Sequence, residues 1–194
     1  MYTTNSTFDS YGTTVFELMS RLAVEHKSIN LGQGFPDNYG PNAVLQKASE
    51  YLFDLPNQYP PMLGVPELRQ AVAAHNKRFY GLDINWKTET MVSSGATEGL
   101  AACFLGLLNQ GDEVVVIEPL YDCYLPMIER AGGIPKRVSI EPPNWKLNGS
   151  ALRAAFSNKT KLVLINSPQN PSSKVYHREE LLHIADLVKE HDAI

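Results

Sequence analysis

A chain of 194 residues, 43% hydrophobic and 20% charged, can build one sizeable core with a small appendage. Its net charge is -4 and its 17 basic residues are dispersed, so no nucleic-acid partner is expected. No apolar run reaches the roughly 18 residues of a membrane span, and the start MYTTNSTFDS lacks the basic and apolar regions of a signal peptide. The expected location is the cytoplasm, with no membrane partner.

In chain order, Val15, Phe16, Leu18, Met19, Leu22 and Ala23 recur at helical spacing up to Glu25. Residues 30–41, NLGQGFPDNYGP, are too rich in Gly and Pro for a regular element. Helical spacing resumes with Val44, Leu45, Ala48, Tyr51 and Leu52, and a second irregular stretch follows at 54–66. Two long coils so close together point to function rather than idle connection. From Glu67 the rhythm predicts a helix over 67–79, a strand over 90–93, a helix over 96–109 and a strand over 113–117. A helix over 120–131, a strand over 136–140, a helix over 150–156, a strand over 161–165 and a helix over 177–190 complete it. The last residues, Ala193 and Ile194, resemble the opening of another apolar strand, so the chain is expected to continue.

Strands alternating with helices imply an α/β fold, a largely parallel central sheet with helices on both faces, expected to be incomplete at its C-terminal side. Ligands of such sheets sit at the carboxyl ends of the strands. That rule selects SSGATEG (93–99), EPLYDCY (118–124) and NSPQNP (166–171). The first opens a helix with small residues, where free backbone N–H groups and the helix dipole suit a phosphate, or where a serine simply caps the helix. In the second, Tyr121 and Tyr124 are either core aromatics or, for Tyr121, a flat surface for a planar ring. In the third, Pro171 biases Asn170 toward extended geometry and its amide can both donate and accept, although Asn and Pro are also ordinary turn residues. Together they favour a planar, phosphorylated, hydrogen-bonding ligand. Cys103 and Cys123 form no CxxC pair and no His cluster has metal-ligand spacing, so neither a disulfide nor a metal is expected.

Five segments in order, NLGQGFPD (30–37), NQYPPMLGVPELRQA (57–71), SSGATEGL (93–100), GDEVVVIEPLYDCY (111–124) and INSPQNPSSKV (165–175), resemble the motifs of class I/II pyridoxal-phosphate aminotransferases of fold type I. LGQGFPD and EP-x-YDCY look most like the kynurenine/glutamine transaminase and methionine aminotransferase branch. The resemblance runs from about residue 12 to the end and matches the N-terminal portion of such enzymes. It implies a division into an N-terminal arm and small-domain segment (1–40) and part of the cofactor-binding large domain (41–194).

The resemblance also implies roles. Gly95, Ala96 and Thr97 would bind the phosphate of pyridoxal 5'-phosphate, Tyr121 would stack on its ring, and Asn170 would hydrogen-bond the phenolic oxygen close to the substrate carboxylate. Gly34 would receive that carboxylate through its backbone and Phe16 would lie over the substrate side chain. Tyr59 would reach the phosphate in a neighbouring subunit, which implies a homodimer. The implied activity is amino transfer between an L-amino acid (methionine, glutamine or aromatic) and a 2-oxo acid. The same motifs also serve a cysteine-conjugate β-lyase, and a non-catalytic dimerisation or binding fragment is the third reading. No catalytic residue is assigned: the cofactor-anchoring lysine is expected beyond Ile194, and the 194 residues alone are expected to be inactive. None of the ten lysines has the family's lysine context, and Lys174 is expected to be solvated. Ser173 stands where relatives often carry glycine.

Overall fold

The computed structural model describes residues 5–34, 36 and 38–194; Phe35 and Asp37 of the first motif lie outside them. The chain forms two compact units, one of Thr97–Ile194 with the described residues up to Thr14, the other of Val15–Ala96.

The first element among the described residues is a short helix, α1 (Ser6–Asp9), that its polar residues did not announce. Asn5 caps it by accepting the Thr7 N–H at 3.1 Å. The second unit holds α2 (Val15–Glu25), α3 (Asn42–Asp54) and α4 (Pro66–Tyr80). Pro66 opens α4, where its missing N–H costs nothing, and Gly81 closes it at φ +69°, a left-handed conformation that glycine adopts without strain. Thr90–Ser93 forms no strand. A strand needs a hydrogen-bonded neighbour, and here the Val92 N–H donates to Leu63 O at 3.0 Å in a loop contact instead. A side chain on Gly64 would collide with Val92, so glycine permits that approach.

Helix α5 (Gly95–Leu107) leads into the other unit. There, strands β1 (Glu113–Glu118), β2 (Ile134–Ser139) and β3 (Thr160–Leu164) form one parallel sheet in the order β2-β1-β3. Helices α6 (Tyr124–Arg130), α7 (Gly149–Ala155) and α8 (Arg178–Glu190) alternate with them. Because strand side chains alternate, central β1 feeds two cores. Val114 and Val116 pack with Phe104 and Leu108 near α5 and with Ile128 of α6, whereas Val115 and Ile117 pack with Leu152 of α7 and Ile184 and Leu187 of α8. Burial on both faces explains why β1 reads EVVVIE rather than alternating. The parallel sheet covered on both faces is the α/β architecture expected from the sequence. Ile194 exchanges backbone bonds with β3, donating to Lys161 O at 3.0 Å and accepting from Val163 N–H at 2.9 Å.

The helix expected from residue 120 begins only at Tyr124. Pro126 has no N–H to give and clashes with a preceding turn, so it must lie in the first turn of its helix. Tyr121 therefore precedes the helix, with its carbonyl accepting the Tyr124 N–H at 3.2 Å.

Candidate functional site at the strand ends

Strand β1 continues through α6 on one face of the sheet and β3 through α8 on the other. Neighbouring parallel strands whose connections leave on opposite faces open a crevice at their carboxyl ends, the usual ligand position. The exit from β1 carries Tyr121, and the exit from β3 carries Asn170.

On the β1 side, Tyr121 is partly buried and meets Tyr124 edge to face, with ring centroids 5.8 Å apart and an interplanar angle of 67°. Cys123, between them, interacts with the side chain of Thr97, which links the first turn of α5 to the turn that holds Tyr121. Burial pushes the Cys123 thiol up, the Asp122 charge adds to the rise, and the Thr97 interaction only partly opposes both. Burial likewise raises Tyr124, with Cys123 and Tyr121 contributing. Gly95 and Ala96 open the same helix as Thr97. Gly95 has φ +82°, and nothing lies within 4 Å of where its Cβ would stand. The first N–H groups of such a helix lack intrahelical partners and suit an anion.

On the β3 side, the Asn170 N–H donates to Asn166 Oδ1 at 2.8 Å, which orients the turn. The residue is exposed, and its side-chain amide makes no hydrogen bond among the described residues. Residues of both exits, including Tyr124, Asn166, Gln169 and Asn170, line a cavity of about 10 Å³ at the base of the crevice.

The structure thus brings Thr97, Tyr121 and Asn170 to the ends of two adjacent strands. In this unit the strand ends offer an aromatic face and an amide that makes no hydrogen bond among the described residues, whereas Gly95 and Ala96 fall in the other unit. Phe16, Gly34 and Tyr59 belong to the other unit. Phe16 is partly buried on α2, Gly34 is exposed with nothing within 4 Å of a notional Cβ, and Tyr59 is 95% exposed at φ +51°. Among the described residues no group of three or more His, Cys, Asp or Glu could hold a metal, and no helix is long and apolar enough to cross a membrane.

Two neighbours of Asn170 differ from the sequence expectation or escaped it. Lys174 is buried, not solvated: its Nζ pairs with Glu180 at 2.9 Å and lies 5.2 Å from the Tyr176 ring centroid. Gln169 was not singled out, yet it is only 4% exposed and bonded on all sides. Its signal was available in part, since a buried glutamine must find partners, but those partners lie about fifty residues away. Ser173 sits at φ +60°. A side chain in that region costs about 1–2 kcal/mol, more than the roughly 0.4–1 kcal/mol of unfolded-chain entropy that glycine adds. Ser173→Gly is therefore expected to stabilise the fold by about 0.5–1 kcal/mol, read as a higher urea midpoint with unchanged slope.

The model of aminotransferase class I and II matches residues 26–194. Methionine aminotransferase of Escherichia coli K12 is 39% identical over 181 residues, covering 93% of this chain and 47% of that protein. Kynurenine–oxoglutarate transaminase of Dictyostelium discoideum is 39% identical over 199 residues, covering 94% and 46%. The structure of N-succinyldiaminopimelate aminotransferase from Mycobacterium tuberculosis superposes with a TM-score of 0.93 at 42% identity, covering 99% of this chain and 50% of that one. The chain spans about half the length of the curated relatives it matches. By its strand-end motifs, its fold and these matches, the chain belongs to the class I and II aminotransferases.

Proposed function

We propose that the polypeptide carrying this chain transfers the amino group of methionine, glutamine or an aromatic L-amino acid to a 2-oxo acid, in the cytoplasm and as a homodimer. The family depends on pyridoxal phosphate. The observation that carries the reading is the convergence of Thr97, tied to the Tyr121 turn through Cys123, with the unbonded Asn170 amide on the adjacent strand end. In this reading Gly95, Ala96 and Thr97 hold the phosphate through backbone N–H groups, and Tyr121 lies against the ring. Asn170 donates to the phenolic oxygen and orients the substrate carboxylate, which Gly34 also meets, while Phe16 covers the substrate side chain. When bound, the cofactor supplies the electron sink for chemistry at the amino acid's α-carbon. The chain's own residues bind, orient and shield.

Tyr59 reaching a neighbouring subunit is supported by its setting. It lines an apolar groove of about 870 Å³ with Tyr51, Leu55, Val65 and Leu68, and a face of that kind favours a protein partner. The division into an arm and small-domain segment (1–40) and large-domain residues (41–194) belongs to the same proposal.

The test is an amino-transfer assay on the full polypeptide with methionine, glutamine and phenylalanine as donors. Transfer that depends on an added 2-oxo acid supports the reading. Release of pyruvate and ammonia from a cysteine conjugate, with no transfer, replaces it by a β-lyase. Asn170→Ala removes a bond to a charged or strongly polarised group, worth about 1.5–3 kcal/mol. It is expected to lower kcat/KM roughly 10- to 100-fold at little cost in stability. An unchanged kcat/KM removes Asn170 from the site.

A further inference from the structure

We propose that Gln169 is the positioning residue that sets the spacing between the Tyr121 turn and Asn170; the inference rests on the functional reading above. Its Nε2 donates to the carbonyls of Ile117, at 3.2 Å, and of Pro119, the last stretch of chain before Tyr121. Its Oε1 accepts from the Tyr176 hydroxyl, and its own backbone donates to Lys174 O at 2.8 Å and accepts from Ser173 N–H at 2.7 Å. One buried side chain thus staples the exit of β1 to the exit of β3. The next residue, Asn170, faces outward with its amide unbonded.

The chemistry of the staple demands an amide of this length. Two carbonyls need a donor and a hydroxyl needs an acceptor, which only Asn and Gln combine at the end of a flexible stem. Asn is one methylene shorter. Glu would turn an acceptor toward two carbonyls, and Leu would leave two carbonyls and a hydroxyl buried without partners. The two carbonyls, which can only accept, fix which way the amide faces, and this leaves Oε1 to accept from the Tyr176 hydroxyl. With the amide locked, the separation of ring platform and Asn170 follows from the β1–β3 pairing and not from two independent loops. A shift of even 1 Å between such groups degrades catalysis by orientation alone.

The experiment compares Gln169→Glu, Gln169→Leu and Tyr176→Phe in the full polypeptide loaded with pyridoxal phosphate. It measures kcat and KM for the amino donor, the visible circular dichroism of the bound cofactor, and the urea midpoint. Both Gln169 variants are expected to lose about tenfold or more in kcat/KM, mainly through kcat, with a changed dichroic band. Tyr176→Phe keeps the carbonyl bonds but leaves Oε1 buried without its donor, and is expected to lose about two- to fivefold. If an unfolded product removes either Gln169 variant, Tyr176→Phe still decides the matter. Variants with a lowered urea midpoint but unchanged kcat, KM and dichroism would make Gln169 a stabilising residue only and overturn the proposal. A parent protein that neither binds the cofactor nor transfers an amino group refutes the functional reading instead, so the two failures are distinct.

Discussion

Replacing Glu180 with alanine is expected to destabilise the protein by about 3–5 kcal/mol, the usual result of stranding a buried charge. Glu180 is a hub: its carboxylate pairs with Lys174 at 2.9 Å and accepts the backbone N–H groups of Leu147 at 3.1 Å and His177 at 2.9 Å. The Lys174 side chain is 6% exposed, so its ammonium would be left with only the Tyr176 ring. Removing both charges together, as Lys174→Met with Glu180→Gln, is expected to cost much less, because an apolar replacement of a buried pair is often close to neutral. Urea unfolding of the two variants side by side is the check. Equal losses in both would show that a stranded Lys174 charge is not the cause.

The same carboxylate predicts a pH dependence. Burial alone would raise the pKa of Glu180, but the His177, Lys174 and Leu147 bonds together outweigh it and hold the group below its ordinary 4.5. A carboxylate depressed in the folded state contributes stability that is present above the unfolded value and lost as pH falls through the folded one. Glu113 behaves alike: burial opposes, while the Ser157 hydroxyl and Lys136 prevail. Stability should therefore fall on acidification below 4.5, and Glu180→Gln should flatten that acid limb.

Ile128→Ala is expected to cost about 2–5 kcal/mol, from lost apolar transfer and the cavity left behind. Ile128 is fully buried and is the residue through which α6 enters the core beside Phe104, Leu108 and Val116. The substitution should reach function too, because α6 follows directly on Tyr121 and Cys123. Urea unfolding gives the first effect, and titration of the full polypeptide with pyridoxal phosphate the second. Ile128→Val, with a smaller void, should cost only about 0.5–1.5 kcal/mol. A similar loss in both variants would show that the site collapses around the smaller side chain.

Amino-acid order by itself determined the periodic elements and the three strand ends. Helical spacing in α2, α4 and α8 and the continuous apolar run of β1 are local properties, and a parallel sheet follows once such runs alternate. Asn170 between prolines was visible for the same reason, since turn chemistry is carried by neighbours in sequence. Pro126 could have placed the start of α6, as its rule is also local. Tertiary structure alone decided the rest. Thr90–Ser93 has a strand's composition, but strands are made by partners, and Val92 bonds a loop carbonyl instead. Lys174 looked solvated because solvation is the default for lysine; docking of α8, with Glu180 held from Leu147, supplies the carboxylate that lets the charge be buried. Gln169 owes its partners to the pairing of β1 with β3, which brings together residues fifty positions apart, and no pattern within a window of sequence encodes a hydrogen bond of that span.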